Sequence, residues 1–149
     1  MLQIIGKAPN VSLVATTNIM MTNRGPMFLS DTAINVDPTA EELAKIAVMT
    51  ANTAKMFGVE PVIAMVSYSN FGSSVKKVNT LVFPNLESAN ITYKLLKELD
   101  KVGSIGPIMM GMKHPVHVFQ LGASVEEMVN MAAIAVIDAQ EKSMRLKGK

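Results

Sequence analysis

The chain has 149 residues, 49% hydrophobic and 17% charged, enough for one globular domain with a sizeable core. Its net charge of +2 comes largely from the run Lys142 to Lys149, and no basic stripe alternates with aromatics, which argues against nucleic acid as a partner. There is no cysteine, which excludes disulfides, thiolate nucleophiles and cysteine metal sites and fits a reducing, cytoplasmic setting.

No window reaches about 18 uninterrupted apolar residues, so no membrane span is expected. The start, Met1 to Gly6, lacks the charged n-region and long apolar core of a signal peptide. The apolar excess implies a face covered by a partner domain or subunit. The 13 methionines, among them Met20, Met21, Met109, Met110 and Met112, read as adaptable core fillers rather than metal ligands.

In chain order, β-branched residues from Val11 to Met20 predict a strand, with Thr22-Asn23-Arg24-Gly25-Pro26 as its turn and Met27-Phe28-Leu29 as an antiparallel partner. Asp31 to Asp37 is a connection, and Asp31, just past a strand, is an open site candidate. Pro38 near the first turn and a Thr39/Glu42 capping box predict a helix start. Leu43, Ile46, Ala47, Thr50, Ala54 and Phe57 supply its inward face, and Gly58 stops it. Pro61 to Val66 is continuously apolar, the pattern of a central parallel strand buried on both faces.

That strand runs into Ser67-Tyr68-Ser69-Asn70-Phe71-Gly72-Ser73-Ser74, the best ligand candidate. Hydroxyls, small residues and a glycine let backbone N–H groups approach a phosphate or a phosphopantetheine chain; the bland alternative is a polar turn with self-bonding serines. Thr80 to Phe83 is a second buried strand, followed by a helix burying Leu86, Ala89, Tyr93, Leu96 and Leu99. Further strands are expected at Ile105 to Met110 and Val116 to Phe119. The last helix opens on a Ser124/Glu127 capping box, with Val125, Met128, Val129, Ala132, Val136 and Ala139 as its inward stripe. Strands alternating with helices imply an α/β fold: a three-layer αβα sandwich with a mostly parallel sheet.

Two segments complicate this reading. Only Val75-Lys76-Lys77-Val78 separates Ser74 from Asn79, whereas neighbouring parallel strands need a crossover of about a dozen residues. A segment missing near 74–79 is therefore expected. His114 and His117 flank Pro115 and point in unrelated directions, with no carboxylate or cysteine nearby to complete a metal set. A structural role suits His117 better than catalysis, and Ser124 is fully explained as a cap.

The words Leu81-Val82-Phe83-Pro84-Asn85-Leu86-Glu87-Ser88-Ala89-Asn90, then Ile105-Gly106-Pro107-Ile108 and His114-Pro115-Val116, carry a resemblance. They resemble the phosphate acetyltransferase and phosphate butyryltransferase family, above all its version fused to the C-terminus of bacterial NADP-dependent malic enzymes. The resemblance covers nearly the whole chain, makes 1–149 the C-terminal part of such a domain, and implies an isocitrate/isopropylmalate-dehydrogenase-like architecture. It implies acetyl-CoA as a ligand, with Ser67, Ser69, Asn70, Gly72, Ser73, Asn90, Gly106 and Gln120 as candidate contacts. For Asn90 and Tyr93 the plainer alternatives are a backbone hydrogen bond and core filling.

One departure decides what is expected chemically. Active family members show Ser-Arg-Gly-Cys-Ser where this chain has Gln120, Leu121, Gly122, Ala123 and Ser124. The family's acidic catalytic residue falls on Glu127, and a further arginine of the active enzymes falls on Glu98. Acyl transfer between CoA and phosphate needs cations to hold the dianion and the developing oxyanion, and leucine cannot replace a guanidinium fork. Arg24 is the only arginine before the tail.

No catalytic residue is therefore nominated. The resemblance implies a regulatory and assembly domain of a malic enzyme, homo-oligomeric and acyl-CoA-sensing, acting by linkage between subunit arrangements. NADP and a divalent metal belong to the upstream malic-enzyme domain, and no Gly-x-Gly-x-x-Gly fingerprint occurs here. The competing expectations are a working phosphate acetyltransferase and an inert oligomerisation domain.

Overall fold

The computed structural model describes residues 2–67, 78–99, 103–119 and 121–147. Helix α1 (Leu2–Ile5) precedes a hairpin of β1 (Ala15–Thr22) and β2 (Gly25–Ser30), then α2 (Ala40–Met56) and β3 (Ile63–Met65). Strand β4 (Thr80–Val82), α3 (Leu86–Leu99), β5 (Ser104–Met110) and α4 (Val125–Lys147) complete the order. The five strands form one sheet in the order β3-β4-β2-β1-β5.

The sheet is mixed. Strand β4 runs parallel to both β2 and β3, as α/β alternation predicts, while β1 pairs antiparallel with β2 and with β5. Alternation along each strand sorts side chains onto two faces. Ile19, Phe28, Val82 and Ile108 face α2 and α4, packing with Ile46, Ala54, Met131 and Ile134. Met20, Leu29, Leu81 and Phe83 face the other way, against Ala89 and Tyr93 of α3. The αβα sandwich is thus formed.

Helix α2 begins as its sequence dictates. Thr39 accepts from Glu42 N at 3.3 Å, and Glu42 Oε2 accepts from Thr39 N at 2.8 Å. It ends where Gly58, at φ 72°, takes the left-handed conformation that lets Gly58 N and Val59 N reach Lys55 O and Ala54 O. Thr50, buried in mid-helix, bonds Ile46 O and Ser30 Oγ, tying the helix to β2. Met20, Met109, Met110 and Met112 are core residues, while Met21 is exposed.

Three expectations need correction. The apolar run at Pro61 to Val66 gives a three-residue edge strand, half-exposed; the central strand is β2, and its neighbour β1 is the most deeply buried. Residues 116–119 form no strand, because the side chain of His117, not a backbone carbonyl, takes the outward N–H of Met109 on edge strand β5. The stripe Val125, Met128, Val129, Ala132 and Val136 faces outward; Met131 and Ile134 are the α4 residues that reach the core. An apolar periodicity marks which face of a helix is covered, not whether the cover comes from the same chain.

Candidate functional site

A polar network lies under the α3 face of the hairpin. Asp31, 3% exposed, accepts from Thr16 N at 2.9 Å, Asn35 N at 2.9 Å and Ala33 N at 3.2 Å, and also from Thr16 Oγ1 and Asn35 Nδ2. Asn18 Nδ2 donates to Thr32 Oγ1 at 2.7 Å, and Thr32 N donates to Thr16 Oγ1. These contacts satisfy most of the polar atoms that β1 buries, Asn18 Oδ1 excepted, and give Asp31 a structural role as their hub.

The pairing of β1 with β5 slips between Thr17 and Ile19, which leaves Gly106 and Pro107 as a bulge opposite Asn18. Gly106, at φ 139°, forms the back of a hollow of about 90 Å³. Helix α3 supplies Tyr93 and Lys97 to one wall, and Phe119 with Leu121, Gly122 and Ala123 supplies the other. Glu127 and Met131 enter from the first turns of α4. Tyr93 serves both core and hollow, its hydroxyl 3.1 Å from Ser104 Oγ.

Among the described residues that line it, the hollow holds one cation beside one anion. Lys97 Nζ stands 3.6 Å from Glu127 Oε1. Glu127 Oε2 accepts the Ser124 N–H at 2.7 Å, while Glu127 N donates to Ser124 Oγ at 3.1 Å, the reciprocal cap expected from sequence. The Ser124 backbone N–H, then its side chain, and more weakly Lys97, hold the Glu127 carboxyl below the usual carboxylate range. A carboxylate so engaged is a poor proton acceptor. Leu121 stands fully exposed at the rim, Glu98 is exposed beyond it, and Arg24 sits in the β1–β2 turn outside the lining.

A second, broader groove of about 660 Å³ opens between Val36–Asp37 and the start of α3. Asn85, Leu86, Asn90, Ile91 and Lys94 line it, and Leu86 N bonds Val36 O across its base. Asn85 caps α3 by accepting Ser88 N at 2.9 Å. The candidate contacts are therefore divided: Gly106 belongs to the small hollow, half-buried Asn90 to the groove, and Ser67 is exposed beyond β3. Ser69, Asn70, Gly72, Ser73 and Gln120 lie outside the described residues. Among the described residues no three His, Asp or Glu side chains gather as a metal site.

Lys97 is the residue that sequence reasoning missed. Its signal was present, since it follows Tyr93 by four positions and therefore shares its side of the helix.

The fold is an α/β sandwich on a mixed five-stranded sheet, and comparison fixes its family. The model of the phosphate acetyl/butaryl transferase family matches residues 1–80 and 75–136, and the chain belongs to that family. The NADP-dependent malic enzyme of Salmonella typhimurium is 34% identical over 186 residues, taking in 92% of this chain and 24% of its own length. The phosphate acetyltransferase of Clostridium acetobutylicum is 34% identical, covering 93% of this chain and 58% of the relative. The crystal structure of a phosphotransacetylase from Streptococcus pyogenes superimposes with a TM-score of 0.82 at 31% identity, over 96% of this chain and 58% of that one. The chain thus spans about a quarter of the malic-enzyme relative and under two thirds of the other two.

Proposed function

We propose that this chain is an acyl-CoA-sensing regulatory and assembly domain, of the kind joined to NADP-dependent malic enzymes, without acyltransferase turnover of its own. The observation that carries the reading is the charge inventory of the Gly106 hollow. Among its described lining residues the single lysine is engaged by Glu127, and the rim carries Leu121 rather than a guanidinium group. Among the described residues a phosphate dianion and a developing oxyanion find no clamp there, whereas a thioester and its pantetheine chain need only apolar walls and backbone donors.

The likeness to malic enzymes supports an upstream catalytic domain, which would hold the nicotinamide and divalent-metal sites. The outward stripe of α4, with Val125, Val129 and Val136 exposed, supports assembly into a homo-oligomer. The absence of cysteine supports a cytoplasmic setting, and no helix among the described residues is long and apolar enough to cross a membrane. A segment missing from this sequence near 74–79 is supported by the two-part family match and by alignments longer than the chain itself.

The experiment pairs two measurements on the purified chain. Calorimetry with acetyl-CoA should give saturable binding. A hydroxamate assay with acetyl phosphate and CoA should give no turnover above background. Binding with turnover instead establishes a working phosphate acetyltransferase, the reading that Lys97 and the Clostridium likeness favour. No binding at millimolar acetyl-CoA reduces the chain to an assembly domain.

A further inference from the structure

The imidazole of His117 is wedged between the edge of the sheet and α4, with 4% of its side chain exposed. Its Nδ1 accepts the Met109 N–H of β5 at 3.2 Å, so a neutral ring must carry its proton on Nε2. That Nε2 has no hydrogen-bond partner and lies 3.8 Å from Asp138 Oδ2 on α4. Asp138 is in turn drawn to Lys142, one turn further on, at 2.7 Å. Strand β5 contributes no ionisable side chain, so Asp138 and Lys142 are the charges that the described structure sets against the ring.

We propose that His117 is a proton-operated latch: neutral, it fastens the segment leading to Phe119, Leu121 and Gly122 against β5 and α4; protonated, it releases that wall of the Gly106 hollow. The geometry requires this direction. A proton added at Nδ1 would point at the Met109 N–H, replacing a donor–acceptor contact with two opposed donors. Burial, the largest influence, holds the imidazole below its ordinary range; Asp138 pulls it up, and Lys142 pushes it down. The native state therefore keeps the ring neutral where the unfolded chain, near the ordinary value of about 6.5, takes up a proton. The latch's stabilisation is whole above that value and is lost as pH falls below it.

The consequence for the hollow rests on the reading of that hollow as the ligand site, but the latch itself does not. Its test contains no acyl-CoA, so the two can fail separately.

The measurement is an NMR titration of the intact chain between pH 7.5 and 5.5, read at the His117 ring. His117 should titrate below the ordinary imidazole value of about 6.5, and the amides of Met109, Phe119, Leu121 and Gly122 should shift with its midpoint. Urea unfolding over the same range should show a fall of up to about tenfold in the folding equilibrium constant from this one group. In His117→Asn, whose amide oxygen can still accept from Met109 N, that part of the pH dependence should vanish. A His117 midpoint at or above about 6.5, pocket-wall amides indifferent to it, or identical pH profiles for the two proteins would each overturn the latch. If His117→Asn does not fold, the titration of the unaltered chain decides alone.

Discussion

Asn18 Oδ1 lies against the bare α-carbon of Gly106, so close that a β-carbon there would overlap it and stand 3.1 Å from Asn18 Cα. The slip in the β1–β5 pairing brings these two residues together, and the same slip opens the hollow beside α3. Gly106→Ala must both resolve that overlap and hold φ 139°, which L residues rarely adopt. A loss of about 3 kcal/mol is expected. Chemical denaturation should show it, and adding Asn18→Ala should recover part of it in a double-mutant cycle.

Asp31 gathers five hydrogen bonds in a site shut off from solvent. Asp31→Ala strands the Thr16 and Asn35 donors, and about 3 kcal/mol of stability should go with them. Asp31→Asn keeps one acceptor but turns an N–H toward donors, so it should fall between the two. Denaturation midpoints rank the three proteins.

The Glu127 carboxyl sits below its ordinary value of 4.5 chiefly because it accepts from the Ser124 backbone, with Lys97 a smaller influence. A depressed acid stabilises the native state above its unfolded value, and that contribution is lost as pH falls through the lowered native one. Carbon-13 NMR of the Glu127 carboxyl should show the midpoint rising in Ser124→Ala, as the helix start frays, and rising less in Lys97→Ala. The reverse order would place the hollow, rather than the cap, in control of this residue.

Val129 is 62% exposed and Val136 55%, on a helix face that polar residues usually occupy. If that face joins two copies, Val129→Lys with Val136→Lys should give a monomer by analytical ultracentrifugation. The isolated fold should change by no more than about 0.5 kcal/mol per site, since neither side chain packs on the core.

Much of this architecture is legible in local chemistry. Both capping boxes, Thr39/Glu42 and Ser124/Glu127, form as written, because a cap is satisfied within four residues and needs no knowledge of the rest of the chain. Strand position is another matter. The apolar run at 61–66 looks central yet ends the sheet, since apolarity records burial without recording what does the burying. The α4 stripe misleads for the same reason. At the hollow, Leu121, Glu127 and Gly106 were already implied by motif, whereas Lys97 arrives through helix geometry, and the His117 contact through a bend at Lys113–His114 that no periodicity describes.

The two margins of the sheet are finished differently. On the β5 side an imidazole occupies an outward amide, and the bridge between Lys7 and Met112 closes the far end. Among the described residues β3 simply terminates the other side, with Met65 half in solvent. Among the described residues, the edge left open to a strand from a grafted peptide or a neighbouring molecule is therefore the one alongside Ile63–Met65.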